Sequence, residues 1–332
     1  MQVKSRHILL QWHQVKLTVD CVFNHELAKL QADSGLSRLL AKGKMSHVDM
    51  PLEALICKQF GFKNAEALPI AAICADVDSL DVGSSYWLRA DPVHFQMQRD
   101  CFSLSESVPL QIKPAHTLQM LASLNQHFSQ DGLTFYSGKS GAWYVRSEAV
   151  QRVQTTLPSV AMDKNVHHFM PQGEDAANWK AILNEVQMLL HDHPVNEARE
   201  AGGEVAVNSV WFSGGGVLPL FERLTQEFDL MITDHVLSIG LAKLANIPYQ
   251  NLPNQLEDIL QKNAQHVRLH LLQTSQMDKK WFEPIFLALK HQHIEHLTIN
   301  LGFYEKTLVL DMKPLDIYKF WRKPHAVNAY VA

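Results

Sequence analysis

Apolar residues recur at helical spacing in several parts of the chain. Between residues 27 and 44, Leu27, Leu30, Leu36, Leu39 and Leu40 share one face, which predicts a helix that ends at Gly43. The same spacing predicts helices over 50–62, 115–132, 179–191, 218–228, 235–247 and 280–294.

Short apolar runs between these helices predict buried strands. They lie at 7–12, 69–77, 205–213, 229–234, 266–272, 296–303 and 306–312. Strands that alternate with helices are typical of an α/β core, whose mostly parallel sheet is covered by helices. We therefore expect such a sheet from the residues before about 80 and after about 170.

The region between these two parts has a different pattern. Short segments at 84–96, 100–105 and 108–112 predict paired strands, and 133–147 predicts a hairpin around the turn Gly138–Gly141. Together with the helix over 115–132 they predict an inserted α+β cap. The expected domains are a first core part over 1–83, the cap over 84–165 and a second core part over 166–332.

Composition narrows the class of protein. The 332 residues carry a formal net charge of −4, which gives no basic field for a nucleic acid. The N-terminal apolar run is too short for a signal peptide, and no stretch has the length of a membrane span. Cys21, Cys57, Cys74 and Cys101 form no CxxC pair, which favours reduced, buried thiols. We expect a cytoplasmic protein without a membrane or nucleic-acid partner.

Three consecutive glycines follow the apolar run at 205–213. Gly214, Gly215 and Gly216 precede the predicted helix over 218–228, and backbone N–H groups between a strand and a helix can bind an anion. The alternative is a tight turn packed against a neighbour. We expect a strand-to-helix turn facing the cleft between core and cap, in which Gly215→Val is damaging because a β-branched residue tolerates positive φ poorly.

The segment HDHPVNEAR (191–199) contains several polar candidates. His191 and His193 either begin a metal site or mark a helix end that Pro194 terminates. Asn196 and Arg199 are then expected on a loop, where they either meet an anion or satisfy backbone carbonyls.

A second polar group lies in the predicted cap. Asp91 and His94 could form an acid–base pair beside Arg89, whereas a structural or interface role is the alternative that we favour. The Gly138–Gly141 turn resembles a phosphate loop only in composition, because no helix follows it. The histidines of 291–296 are expected on a solvated helix end.

The segment from 184 to 216 resembles one known family, the archaeal-type cofactor-independent phosphoglycerate mutases. In that family a helix ending in H-P-V-N is followed by Arg, Gly and an A-N-x-x-W-x-x-G-x-G strand-turn. The matching positions are Asn196, Arg199, Gly203, Asn208, Trp211, Gly214 and Gly216. The similarity extends over about residues 50 to 250, and bacterial RpfE-type regulatory or uncharacterised mutase-like proteins look more similar still.

This resemblance implies an alkaline-phosphatase-like α/β core with an inserted cap. It also implies a two-metal phosphomutase with a serine phosphoryl acceptor, which needs about half a dozen metal ligands. The family has an aspartate just after its first strand, whereas the run at 7–12 is followed by His13 and Gln14. The late aspartate and histidine ligands also find no match near 266–310. The resemblance therefore predicts a degenerate metal centre.

Three functions follow as hypotheses. We favour a non-catalytic, mutase-like regulatory or ligand-binding protein without cofactor, and the alternative is an active 2,3-bisphosphoglycerate-independent phosphoglycerate mutase, or related phosphomutase or phosphatase, that uses two divalent metals such as manganese. A purely structural interaction module is the third. No catalytic or metal residue is assigned, and no protein partner is indicated. The candidate residues for a small phosphorylated or carboxylate ligand are Asn196, Arg199, Asn208, Gly214, Gly215, Gly216, Arg89, Asp91 and His94.

Overall fold

The structure is a computed structural model of the whole chain. It describes residues 14–63, 68–97, 102–104, 109–162, 164–219, 224, 227–272 and 276–331. The predicted strand over 7–12 and Cys101 lie outside these residues, as does most of the predicted helix over 218–228.

The described residues form fifteen strands. They are β1 (Val15–Val22), β2 (Lys44–Val48), β3 (Tyr86–Val93), β4 (Phe95–Met97), β5 (Phe102–Leu104), β6 (Leu133–Ser137), β7 (Trp143–Ser147), β8 (Val153–Gln154), β9 (Gln172–Gly173), β10 (Ser209–Val217), β11 (Leu230–Thr233), β12 (Tyr249–Gln250), β13 (His266–Leu271), β14 (Ile294–Phe303) and β15 (Lys306–Met312).

The helices lie between these strands. The α-helices are α1 (His25–Ala28), α2 (Gly35–Lys42), α3 (Leu52–Gln59), α4 (Ile70–Val77), α5 (Pro114–His127), α6 (Pro158–Ala161), α7 (Ala176–His191), α8 (Pro194–Ala201), α9 (Val236–Leu244), α10 (Glu257–Leu260) and α11 (Glu283–Lys290). Short 3-10 turns lie at Phe128–Asp131, Val166–Phe169, Pro314–Tyr318 and Val327–Tyr330, and a π-helical turn, Asp278–Phe282, leads into α11.

Seven of the described strands form the main sheet. Its order is β12-β11-β13-β1-β14-β15-β2, with parallel pairing from β12 to β14 and antiparallel pairing at β15 and β2. Its two faces carry separate apolar clusters, one with α2 and α11 and the other with α3, α4 and α9. The predicted α/β class with a mostly parallel, helix-covered sheet is confirmed. Among the described residues no helix is long and apolar enough to cross a membrane.

A second, antiparallel sheet has the order β10-β3-β7-β6. It contains the predicted hairpin over 133–147 as β6 and β7. Its edge strand β10 was expected in the core sheet, and that prediction is wrong, because β10 pairs along β3 from Ser209 opposite Val93 to Val217 opposite Tyr86. The domain division at residues 83 and 165 stays a prediction, while this sheet takes strands from both sides of residue 165.

Helix α4 corrects a second prediction, the strand over 69–77. Residues 70–75 are all buried, and α4 packs against α9 on one side and against β3 and β10 on the other. A helix buried all round has no polar face, so its apolar run is indistinguishable from that of a buried strand. Helix α4 therefore joins the main sheet to the second sheet.

Three further predictions differ in detail. The helix expected over 27–44 is divided into α1 and α2, with Ser34 as the N-cap of α2 and Gly43 at its end. Residues 109–112 form no strand, and β1 and β2 were not predicted. Cys21, Cys57 and Cys74 are free and buried as expected, and burial raises the pKa of Cys21 and of Cys74 to about 12.

Candidate functional site

A row of polar residues crosses the centre of the main sheet. Thr233 of β11 pairs with His270 of β13, His270 with Asp20 of β1, and Asp20 with Asn300 of β14. Residues that pair in register lie side by side on the same face, so these four side chains form one line across four strands. The line lies towards the carboxyl ends of the parallel strands, where α/β proteins place their ligand sites.

Asp20 is held in a buried ion pair with Arg268, which precedes His270 by two residues. Arg268 Nε donates to Oδ2 of Asp20 at 2.5 Å and Nη2 donates to Oδ1 at 2.9 Å, while Asn300 Nδ2 donates to Oδ1 at 2.8 Å. Neither charged side chain has solvent exposure. The carboxylate of Asp20 is therefore neutralised by a guanidinium inside the protein.

Two aromatic rings flank this guanidinium. Arg268 Cζ lies 5.6 Å from the ring centroid of Phe60 and 4.9 Å from that of Phe228, and the two rings stack at 6.1 Å. A guanidinium packed against aromatic rings gains cation–π attraction, and the rings exclude water from its ion pair. The rings thus hold Arg268 in the orientation in which it donates its hydrogen bonds to Asp20.

Two histidines and a serine continue the cluster next to α9. The rings of His235 and His270 stack at 4.2 Å, and Ser238 Oγ lies 2.7 Å from Nδ1 of His270. Burial, together with the charge of Arg268, lowers the pKa of His270 to about 3. Burial, and then His270 and Arg89, hold the pKa of His235 well below its usual value. Both rings are therefore neutral at neutral pH.

The metal centre implied by the resemblance can be tested on this cluster. A divalent ion at Asp20 would need the carboxylate oxygens that Arg268 and Asn300 already occupy, and it would sit beside a fixed positive charge. Among the residues that the structure describes, no group of three or more His, Cys, Asp or Glu side chains is arranged to hold a metal. These residues do not fit a two-metal centre.

The cap candidates Arg89 and Asp91 form their own ion pair. Arg89 Nη2 and Nε donate to Oδ1 of Asp91 at 2.5 and 3.1 Å, and the guanidinium also lies 5.2 Å from the ring centroid of Tyr144. Burial raises the pKa of Asp91, and Arg89 opposes that shift. His94 is not part of this group, because its Nδ1 lies 2.9 Å from the carbonyl of Ala206. The structure does not bring Asp91 and His94 together as an acid–base pair.

The glycine run lies inside β10, which corrects the predicted strand-to-helix turn. Pairing with β3 is interrupted between Ser213 and Gly216, and positive φ (+63°) is found at Gly214 rather than at Gly215. A Cβ on Gly215 would instead collide with the side chains of Tyr86 and Leu88. The glycines form a bulge because β10 passes close to α4 at this point.

This bulge lines a cleft of about 880 Å³. Gly215, Gly216, Tyr86 and Lys63 lie in its wall, together with the exposed pair of Arg152 and Glu174. Among the described residues that line this cleft, the charged ones are Lys63, Arg152 and Glu174, so their formal charges sum to +1.

Asn196 and Arg199 lie on α8, not on the expected loop. Pro194 is the first residue of α8 and is not followed by a loop, because a proline at the first position of a helix loses no helical hydrogen bond. Both side chains bind backbone. Asn196 bridges Leu190 and Val207, and Arg199 donates to the carbonyls of Val205 and Gln111 and pairs with Glu204.

The remaining candidates also contact main chain. Asn208 Oδ1 accepts from Phe95 N at 2.7 Å and Nδ2 donates to Phe95 O at 3.0 Å. His193 caps α8 through Nδ1, which accepts from Val195 N. His191 has a side chain that is 81% exposed, so these two histidines share no buried ligand site.

Sequence reasoning missed Asp20, Arg268, His235 and His270. Their signal was available, since Asp20 lies at the centre of the apolar run VKLTVDCV and Arg268 in HVRLHLL. Charged residues are almost never fully buried without a partner, so two opposite charges in two buried strands predict each other. The hydrophobic pattern predicts the first strand at 7–12, whereas Asp20 lies in β1 (Val15–Val22).

Comparisons with known proteins agree with the resemblance to phosphoglycerate mutases. The chain is 32% identical over 87 residues to the 2,3-bisphosphoglycerate-independent phosphoglycerate mutase of Methanococcus aeolicus, which covers 24% of this chain and 21% of that protein. It is 22% identical over 164 residues to a probable 2,3-bisphosphoglycerate-independent phosphoglycerate mutase of Geobacter sulfurreducens, which covers 49% and 40%. Over part of its length the chain is therefore similar to phosphoglycerate mutases. The match spans less than half the length of either relative.

Two solved structures are similar to the chain at low sequence identity. The PH0037 protein from Pyrococcus horikoshii has a TM-score of 0.49 at 13% identity and covers 90% of this chain and 87% of its own. The cofactor-independent phosphoglycerate mutase from Thermoplasma acidophilum has a TM-score of 0.43 at 13% identity, with 96% and 94% covered. No family model matches this chain.

Proposed function

We propose that this phosphoglycerate mutase-like protein is non-catalytic, and that it acts in the cytoplasm as a regulatory protein controlled by a small ligand. The observation that carries the proposal is the buried ion pair between Asp20 and Arg268. In this interpretation a fixed guanidinium takes the place of a metal ion beside the central aspartate.

A metal ion at Asp20 would have to displace the guanidinium of Arg268. An ion that bound the Asp20 carboxylate would break the ion pair and leave Arg268 buried without its counter-charge. Breaking a buried pair in this way costs about 3–5 kcal/mol. The guanidinium also repels a divalent cation, so both terms oppose metal binding.

The serine that contacts this cluster supports the same conclusion. A phosphoryl acceptor must be exposed to its substrate, whereas Ser238 has no solvent exposure and is bonded to His270. Among the described residues of this cluster, the serine is therefore not accessible as a nucleophile.

Ligand binding is assigned to the cleft at the glycine bulge. Lys63 and the backbone beside Gly215 border this cleft, and the excess positive charge of its wall suits a small phosphorylated or carboxylate ligand. The regulatory role is part of the proposal and rests on the expected resemblance of the sequence to bacterial RpfE-type proteins.

The catalytic part is tested by assay. Purified protein with manganese should convert neither 3-phosphoglycerate to 2-phosphoglycerate nor a generic phosphate monoester. Turnover by the protein, lost in a Ser238→Ala variant, would establish the alternative of an active metal-dependent mutase or phosphatase.

The ligand part has a separate test. Calorimetric titration of phosphate and 3-phosphoglycerate should show binding to the wild type that weakens at least several-fold in Lys63→Gln and persists in Arg199→Lys. Absence of binding to the wild type would remove the ligand assignment and leave the proposed loss of catalysis in place.

A further inference from the structure

A turn near the end of the chain exposes four large apolar side chains. The segment KPLDIYKFWRK (residues 313–323, the aromatic turn) includes Leu315, Tyr318, Phe320 and Trp321, which are 80%, 60%, 83% and 65% exposed. Single exposed apolar residues are ordinary, but four within seven positions form a patch, and such patches mark interaction surfaces.

The aromatic turn is fixed to the body of the protein. Lys42 Nζ donates to the carbonyl of Lys319 at 2.6 Å, and Arg322 Nη1 donates to the carbonyl of Gly43 at 2.9 Å. Phe320 and Trp321 contact each other edge to face at 5.2 Å. The apolar side chains are therefore presented by an ordered backbone, since anchored segments open rarely compared with frayed ones.

The charge of the aromatic turn is opposite to that of the chain. Four cations, Lys313, Lys319, Arg322 and Lys323, accompany one anion, Asp316, which gives +3 against −4 for the whole protein and thus −7 elsewhere. Symmetric pairing with a second copy would bring two such positive patches together. The charge balance instead favours a partner surface that is negative.

We propose that the aromatic turn binds the surface of an anionic lipid bilayer. Aromatic and aliphatic side chains bury their apolar bodies at the boundary of headgroups and acyl chains, while lysines and arginines remain among anionic headgroups. Such binding needs no spanning helix, and it departs from the expectation of a protein without a membrane partner. The protein would lie on the membrane through Leu315, Tyr318, Phe320 and Trp321.

Trp321 provides a built-in reporter. The other tryptophans of the described residues, Trp87, Trp143, Trp179, Trp211 and Trp281, are at most 3% exposed. Adding vesicles of equimolar phosphatidylcholine and phosphatidylglycerol to the full chain at low salt should shift tryptophan emission to the blue and sediment the protein with the lipid. Vesicles of phosphatidylcholine alone should bind at least ten-fold less.

Two variants distinguish binding through the aromatic turn from non-specific binding through any exposed apolar side chain. Leu315→Ser with Phe320→Ser should reduce sedimentation with anionic vesicles at least ten-fold, whereas Met188→Ser, at another side chain that is 76% exposed, should leave it unchanged. Circular dichroism checks that both variants are folded. Absence of binding to anionic vesicles, or equal binding by the Leu315→Ser/Phe320→Ser variant, would overturn the proposal. So would a blue shift that depends on protein concentration without lipid, which would identify a second copy as the occupant.

Discussion

Arg268 donates two hydrogen bonds to the carboxylate of Asp20 across neighbouring strands of the main sheet, and neither side chain is exposed to solvent. The pair is completed by Asn300 and enclosed by Phe60 and Phe228. Because both charges are buried, each is tolerated only in the presence of the other.

Removing one partner should therefore destabilise the fold strongly. Arg268→Met keeps a similar shape but leaves Asp20 uncompensated, and we expect a loss of about 3–5 kcal/mol in the free energy of unfolding, measured with urea. Arg152→Met is the matched control, because Arg152 pairs with Glu174 at the surface and should leave the urea midpoint almost unchanged. Equal stability of the two variants would show that the buried pair is not needed.

The stacked histidines predict a dependence of stability on pH. In the folded protein the pKa of His270 is about 3 and that of His235 is also lowered, whereas unfolded histidine titrates near pH 6.5. Between these values the unfolded chain binds more protons, so the free energy of unfolding decreases as pH falls below about 6.5. The decrease should reach about 1.4 kcal/mol per pH unit for each histidine.

Urea unfolding across this pH range measures the effect. His270→Asn should reduce the slope without abolishing it, because His235 remains, whereas His191→Gln, which changes an exposed ring, should retain the wild-type slope. A wild-type slope in His270→Asn would mean that other groups cause the acid sensitivity.

Arg199 is predicted to brace α8 rather than to bind a ligand. Its guanidinium contacts the carbonyls of Val205 and Gln111, and a lysine cannot reach both. Arg199→Lys should therefore lower the free energy of unfolding by about 1–3 kcal/mol, seen as a lower thermal midpoint. Glu200→Gln on the exposed side of the same helix is the control. Unchanged stability with weakened phosphate binding would reverse the assignment.

Two glycines with positive φ allow the cost of backbone strain to be measured apart from the cost of steric crowding. Gly203 and Gly214 both have positive φ, at +73° and +63°, but a Cβ has open space at Gly203 and meets Ile70 and Ala71 at Gly214. Gly203→Ala should cost about 1 kcal/mol of stability through strain. Gly214→Ala should cost about 1–3 kcal/mol more through crowding. Equal losses in thermal unfolding would mean that β10 can move away from α4.

The α/β class was predictable because β11, β13, β14 and β15 carry clear apolar runs between amphipathic helices. Helix α4 was not, because burial on all sides removes the polar face that identifies a helix. The pairing of β10 with β3 was also beyond local patterns, since the partners are more than a hundred positions apart in the chain.

The residues of the site were also predictable only in part. The block at 184–216 predicted similarity to phosphoglycerate mutases, which the relatives support, yet Asn196, Arg199 and Asn208 within it contact backbone. The buried charges of Asp20 and Arg268 are 248 positions apart, and only the pairing of β1 with β13 brings them together. A charge inside an apolar strand indicates that a partner exists, but not which strand supplies it.

The most direct test of the central claim is a calorimetric titration of manganese into the purified, metal-stripped protein at neutral pH. The ion pair between Arg268 and Asp20 predicts no saturable binding at micromolar manganese. Saturable binding of two manganese ions per chain, abolished by Asp20→Asn, would contradict the account and place a metal centre where the guanidinium now lies.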